Sequence, residues 1–125
     1  MSKRDDPQRF LPLTPLSTSI LLALSDGERH GYGIIKEIER QSGGRQAPAA
    51  GSLYAALQRM VEQDLLKETT GPAQADDPRR RYYALTRLGR EVARAEMLRM
   101  ADLVVLAAEK KLVPELRPAF QRLER

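Results

Sequence analysis

The sequence predicts a mainly α-helical fold with one small β-hairpin: a winged helix-turn-helix followed by a long C-terminal dimerisation helix. Three observations predict it. Helical spacing of apolar residues occurs in three separate stretches before Gln63. A hairpin whose return strand is arginine-rich, Arg79-Arg80-Arg81-Tyr82-Tyr83-Ala84-Leu85-Thr86, follows them. A last helical stretch then carries more apolar surface than so small a domain can cover by itself.

The elements follow in order. Residues 1–12 are polar and proline-marked, and are expected to form a flexible N-terminal arm. Thr14-Pro15 reads as a helix start, with threonine capping and proline in the first turn. The first helix is expected over Leu16–Leu24, its apolar residues too dense for a face in water, and it stops at Ser25-Asp26-Gly27. A second runs from about His30 to Gln41. Tyr32, Ile34, Ile35 and Ile38 form its buried stripe, while Lys36, Glu37, Glu39 and Arg40 stay wet. Ser42-Gly43-Gly44 ends it. The third is expected from Ala50 to Gln63, with Leu53, Leu57, Met60 and Val61 at i, i+4, i+7 and i+8. Strands are expected over Leu66–Thr70 and Arg80–Leu85, with a polar loop between them. Thr86 caps a long helix from Arg87 to about Lys111, which Pro114 stops, and a short helical tail over Ala119–Leu123 follows. The organisation is therefore an arm (1–12), a DNA-binding winged helix (13–86), a dimerisation helix (87–113) and a tail (114–125).

Composition narrows the function. The 125 residues suggest one domain, with 42% hydrophobic and 30% charged residues, the balance of a globular chain. Net charge is +4, but its distribution says more. Between Arg79 and Arg94 stand six arginines against one acid, Glu91. There is no cysteine and a single histidine, His30, which leaves no thiolate chemistry and no paired-histidine metal site. His30 itself reads as a turn or cap residue. No Ser/His/Asp order and no phosphate-cradling glycine loop is present. The expectation is a protein that is not an enzyme, binds no metal or cofactor and has no membrane-spanning segment. The absence of a signal-peptide pattern and of cysteine points to the cytoplasm.

The candidate site residues lie in two places. A helix that enters a major groove needs a small leading edge, and Gly51 and Ser52 provide one. Ser52 either meets DNA or caps its own helix. Tyr54 either reaches a phosphate or packs under the wing. Gln58 and Arg59 lie on the outward face, where such side chains pair with adenine and guanine. For Arg59 the alternatives are backbone contact or simple solvation. Arg79, Arg80 and Arg81 suit phosphate. Strand alternation turns Arg80 away from the other two, where an acid of the domain body can pair with it. Tyr32 by itself reads as a core tyrosine with a wet hydroxyl. On the last helix, Ala93, Met97, Met100, Val104 and Ala107 form a stripe that is either a dry dimer seam or the wall of an effector cavity.

These segments resemble the PadR family of bacterial transcriptional regulators. The resemblance rests on Leu16–Leu24, on Gly31-Tyr32-Gly33-Ile34, on Gly51-Ser52-Leu53-Tyr54-Ala55-Ala56-Leu57, and on Arg80-Arg81-Tyr82-Tyr83-Ala84-Leu85-Thr86 with Gly89. It covers about Leu13 to Leu106 and fits the compact branch with one helix after the wing. It implies a homodimer on double-stranded operator DNA, usually a repressor, released by a small hydrophobic or aromatic effector. Only this resemblance implies that the region of Tyr32 approaches the DNA backbone. Leu16, Ile20, Met97, Met100 and Val104 are the residues expected to line the effector site. Two features depart from the pattern: Asp76 and Asp77 in the wing loop, and the absence of tryptophan. The alternative is a winged-helix module that binds protein and not DNA.

Overall fold

The structure, a computed structural model, describes residues 6–72 and 80–116. The expected tail helix, Ala119–Leu123, and the loop residues Asp76, Asp77 and Arg79 lie outside the described residues.

Among the described residues, four helices and a small antiparallel sheet surround one core. Helix α1 spans Pro15–Ala23. Thr14 caps it by accepting the Ser17 N–H at 3.1 Å, with proline at the first helical position as expected. Strand β1 is Arg29–His30 and leads directly into α2, Gly31–Gln41. Helix α3 is Ala50–Glu62, β2 is Leu66–Thr69, β3 is Tyr82–Leu85 and α4 is Arg87–Glu109. Ile20, Leu21, Ile34, Leu53, Leu57, Met60, Leu65, Leu66 and Val92 are sealed between the helices and the sheet.

The sheet has three strands in the order β1-β3-β2, one more than the expected hairpin. Arg29 pairs with Tyr83 and His30 with Tyr82, while Glu68 pairs with Tyr83 on the other side of β3. β1 is two residues long and carries no apolar alternation, so periodicity has nothing to register there. β3 begins at Tyr82, two residues later than expected, because Arg80 and Arg81 project beyond the paired register.

Two further expectations are corrected. Residues Pro7–Phe10 form a 3-10 turn that packs on α4, capped by Asp6 accepting the Gln8 N–H at 3.0 Å. Phe10 and Leu11 pack against the core, so this part of the arm is folded onto the domain. The Glu37 side chain, expected in water, is only 11% exposed. It pairs with Arg40 at 2.6 Å and with Arg29 at 3.6 Å, which joins α2 to β1. Arg40 lowers its carboxyl below the usual carboxylate range.

The junction between α3 and α4 fixes α3 against the rest of the molecule. Asp64 takes a left-handed turn (φ 63) after α3. Thr86 donates its hydroxyl to the Asp64 carbonyl at 2.5 Å and accepts the Gly89 N–H at 2.9 Å, so one side chain caps α4 and holds the end of α3. Gly89 has to lack a side chain here. A Cβ at that position would stand 2.0 Å from the Leu65 carbonyl oxygen.

Candidate nucleic-acid interface

Helix α3 buries Leu53, Ala56, Leu57 and Met60. At 100° per residue, the side directly opposite is the row Gly51, Ala55, Gln58 and Glu62, all exposed. Tyr54 and Val61 lie on the flank towards the wing. Ser52, Arg59 and Gln63 lie on the other flank. Arg59 lines a depression there with Arg9, Phe10 and Thr14. Arg59 is therefore lateral to the outward row rather than part of it.

The start of α3 is open. Its N-cap is Ala49, which offers no side-chain cap, so the first N–H groups have no side-chain acceptor. Ser52 does not cap the helix, which removes that alternative for it. Among the described residues, neither the Ser52 nor the Gln58 side chain has a hydrogen-bond partner. A Cβ built at Gly51 would meet nothing within 4 Å. No packing among the described residues requires glycine there.

Beside α3, a cleft of about 460 Å³ is lined by His30, Gly31, Tyr32, Tyr54, Arg80 and Arg81 among others. Tyr54 is 48% exposed, and its hydroxyl lies over Gly31 at the start of α2. The tyrosine packs on the start of α2 and faces solvent at once. Tyr32 is 55% exposed, which excludes the core reading. Lys36 sits 5.4 Å from the Tyr32 ring centroid and is raised above the usual lysine range, chiefly by Tyr32 and then by Glu39. Tyr83 is buried below, and its phenol is raised, first by burial and then by the charge of Glu68.

His30 organises this cleft, a role the sequence reading gave only in part. Its Nδ1 accepts the Gly33 N–H at 2.9 Å and so caps α2. Its ring meets Tyr82 edge-on at 5.3 Å, and Nε2 lies 2.8 Å from an Arg80 nitrogen. Among the described residues Arg80 thus pairs with a histidine and not with an acid of the domain body. The arginine that has an acid is Arg81, 3.6 Å from Glu68 across the hairpin. Alternation had placed these two arginines on opposite sides, and their partners agree with it.

The remaining candidates are on the helical scaffold. Ile20 is fully buried in the core, and Leu16 packs against it. Met97, Met100 and Val104 are half-buried along α4. Leu98, Leu103 and Leu106 on the same helix are exposed. Glu96, which the sequence reading did not single out, is fully buried. It accepts the Leu13 N–H at 2.9 Å and pairs with Arg99 at 2.5 Å, tying the start of α1 to α4. A lone glutamate in a helical stripe carries no sequence signal for such a contact, because its partner is 83 positions away. No helix among the described residues is long and apolar enough to cross a membrane.

An open-started helix between a basic hairpin and a second helix N-terminus defines a winged helix-turn-helix of the regulatory type. Comparison with known proteins carries this to a family. The model of the transcriptional regulator PadR-like family matches residues 20–95. An uncharacterised protein of a transposon from Streptomyces fradiae is 42% identical over 84 residues, 67% of this chain and 22% of that protein. The transcriptional regulator YqjI of Escherichia coli is 39% identical over 59 residues, 47% of this chain and 28% of that protein. The chain thus spans about a quarter of the length of these two relatives. Among solved structures, a PadR family transcription regulator from Clostridium difficile superposes with a TM-score of 0.65 at 23% identity, covering 79% of this chain and 99% of that one. Bordetella bronchiseptica BpsR, whose DNA binding is regulated by 6-hydroxynicotinic acid, superposes with a TM-score of 0.62 at 24% identity, covering 94% of this chain and 78% of that one. The chain belongs to the PadR-like family of transcriptional regulators, a family of regulators and not of enzymes.

Proposed function

We propose that the protein is a cytoplasmic, homodimeric repressor that binds a pseudo-palindromic operator in duplex DNA. The observation that carries this is the start of α3: no side-chain cap, an outward row begun by Gly51, and Ser52 and Gln58 without partners in the described chain. Free N–H groups at a helix start suit a phosphate, and unbonded serine and glutamine side chains suit base edges or backbone. In this reading Gln58 reads a base, and Ser52, Tyr32 and Tyr54 hold backbone. Arg80 and Arg81, with Arg79 beyond the described residues, neutralise phosphate from the wing. Arg59, being lateral, touches the backbone of the flanking strand. Dimerisation is supported by the exposed Leu98, Leu103 and Leu106 of α4, an apolar surface that a second copy would cover. Release by a small hydrophobic effector at Leu16, Ile20, Met97, Met100 and Val104 is the finest part of the proposal. Its support is the soft methionine stripe and the similar fold of BpsR, a protein whose DNA binding is regulated by 6-hydroxynicotinic acid.

Fluorescence anisotropy with a labelled duplex carrying the DNA upstream of the protein's own gene, at two salt concentrations, tests the reading. Binding should be tight in dilute buffer and fall steeply with salt. Arg81→Ala should weaken binding to any duplex about ten-fold and flatten the salt dependence by about one phosphate contact. Affinity that is unchanged at both salts would remove the wing from the interface. No binding by the unmodified chain would favour a protein-interaction module.

A further inference from the structure

A second cleft, between α3 and the wing, holds acid as well as base. Glu62 from α3 and Glu68 from β2 line it together with Gln58, Tyr83 and Arg81. Glu68 stands opposite Tyr83 in the strand register, and Arg81 lies two residues before Tyr83, immediately ahead of β3. This diagonal places Arg81 Nε 3.6 Å from Glu68 Oε1, with the two side chains 76% and 48% exposed. Arg81 therefore has an anion beside it before any DNA arrives.

We propose that Glu68 is a built-in competitor for the phosphate that Arg81 takes. The inference rests on the wing facing DNA, as set out above. In the free protein Glu68 holds the Arg81 guanidinium. A duplex must draw that guanidinium away and leave the Glu68 carboxylate unpaired near a phosphate. Two anions contending for one fork lower affinity for every sequence alike, because phosphate carries no sequence information. The competition therefore sets how tightly the regulator holds any duplex and how readily it lets go. Base reading by α3 is left untouched. Both side chains are exposed, so the pair contributes little to folding and can be altered without loss of structure.

The test is anisotropy on the full chain with two labelled duplexes, the DNA upstream of its own gene and an unrelated sequence, at low and high salt. Glu68→Gln should tighten both about three-fold at low salt, with the gain shrinking as salt screens the charges. In an Arg81→Ala background the same change should give less than half of that gain, because there is no guanidinium left to release. Two results would overturn the competition. One is Glu68→Gln matching the unmodified protein while Arg81→Ala still weakens binding, which leaves the wing on DNA and removes only Glu68. The other is an equal gain in both backgrounds, which reduces Glu68 to simple repulsion. If neither variant changes affinity, the wing reading fails and the competition with it. Thermal unfolding of each variant, expected to match the unmodified chain, confirms that the comparison is between folded proteins.

Discussion

The two halves of α4 belong to one unbroken helix, yet they are used in opposite ways. The first half is anchored: Gly89, Val92 and Glu96 are buried against the domain. The second half is richer in apolar residues, yet Leu98, Leu103 and Leu106 remain 46%, 53% and 45% exposed. Only Ala108 near the end is covered there, where the 3-10 turn Pro114–Leu116 folds back on the helix. The core of one chain simply ends near Arg99. Periodicity thus reports that a helix face is to be covered, but not by which chain.

The comparison can be broken most severely in the anchored half. Gly89→Ala places a methyl group against the Leu65 carbonyl, a backbone atom that cannot swing away. It should cost about 3 kcal/mol, read as a large fall in the thermal midpoint. Unchanged stability would mean that α4 is not seated as described.

Glu96→Gln is the next largest. Losing the charge weakens the contacts to Arg99 and to the Leu13 N–H, and should cost about 2 kcal/mol at neutral pH. Its carboxyl is held below the usual range, first by Arg99 and then by the Leu13 N–H against the opposing effect of burial. A depressed pKa stabilises the fold above the unfolded value of about 4.3, and the contribution is lost as pH falls through the folded value. The stability gap between the two proteins should therefore close below about pH 4. A gap that persists in acid would deny the carboxylate its role.

In the distal half the same kind of change should do little to a single chain. Leu103→Asp should alter its stability by about 0.5 kcal/mol or less, since that side chain already meets water. Its effect should appear in the solution mass, with a dimer becoming a monomer. A variant that unfolds, or one that remains dimeric, would erase the distinction between the halves.

Much of this was legible in sequence, for identifiable reasons. The long helices announce themselves through Leu53, Leu57 and Met60 or Ala93, Met97 and Met100, where residues repeat one spacing. Thr14 and Thr86 announce helix starts because capping is a local contact, three residues long. β1 was not legible, since a strand of two charged-class residues has no pattern of its own. Neither was the packing of Phe10 and Leu11, nor the tie from Glu96 to Leu13, because both depend on partners far away in the chain. At the candidate interface, residue types pointed to Ser52, Gln58 and the arginines. Alternation already set Arg80 apart from Arg81, but only geometry names their partners, His30 and Glu68, and moves Arg59 to the flank.

Sedimentation equilibrium of the full chain mixed with a labelled duplex from upstream of its gene measures mass and occupancy together. In dilute buffer the proposed regulator should carry two chains per duplex and dissociate from it as salt is raised. A single chain sedimenting apart from a free duplex, even at the lowest salt, would contradict the account at its centre.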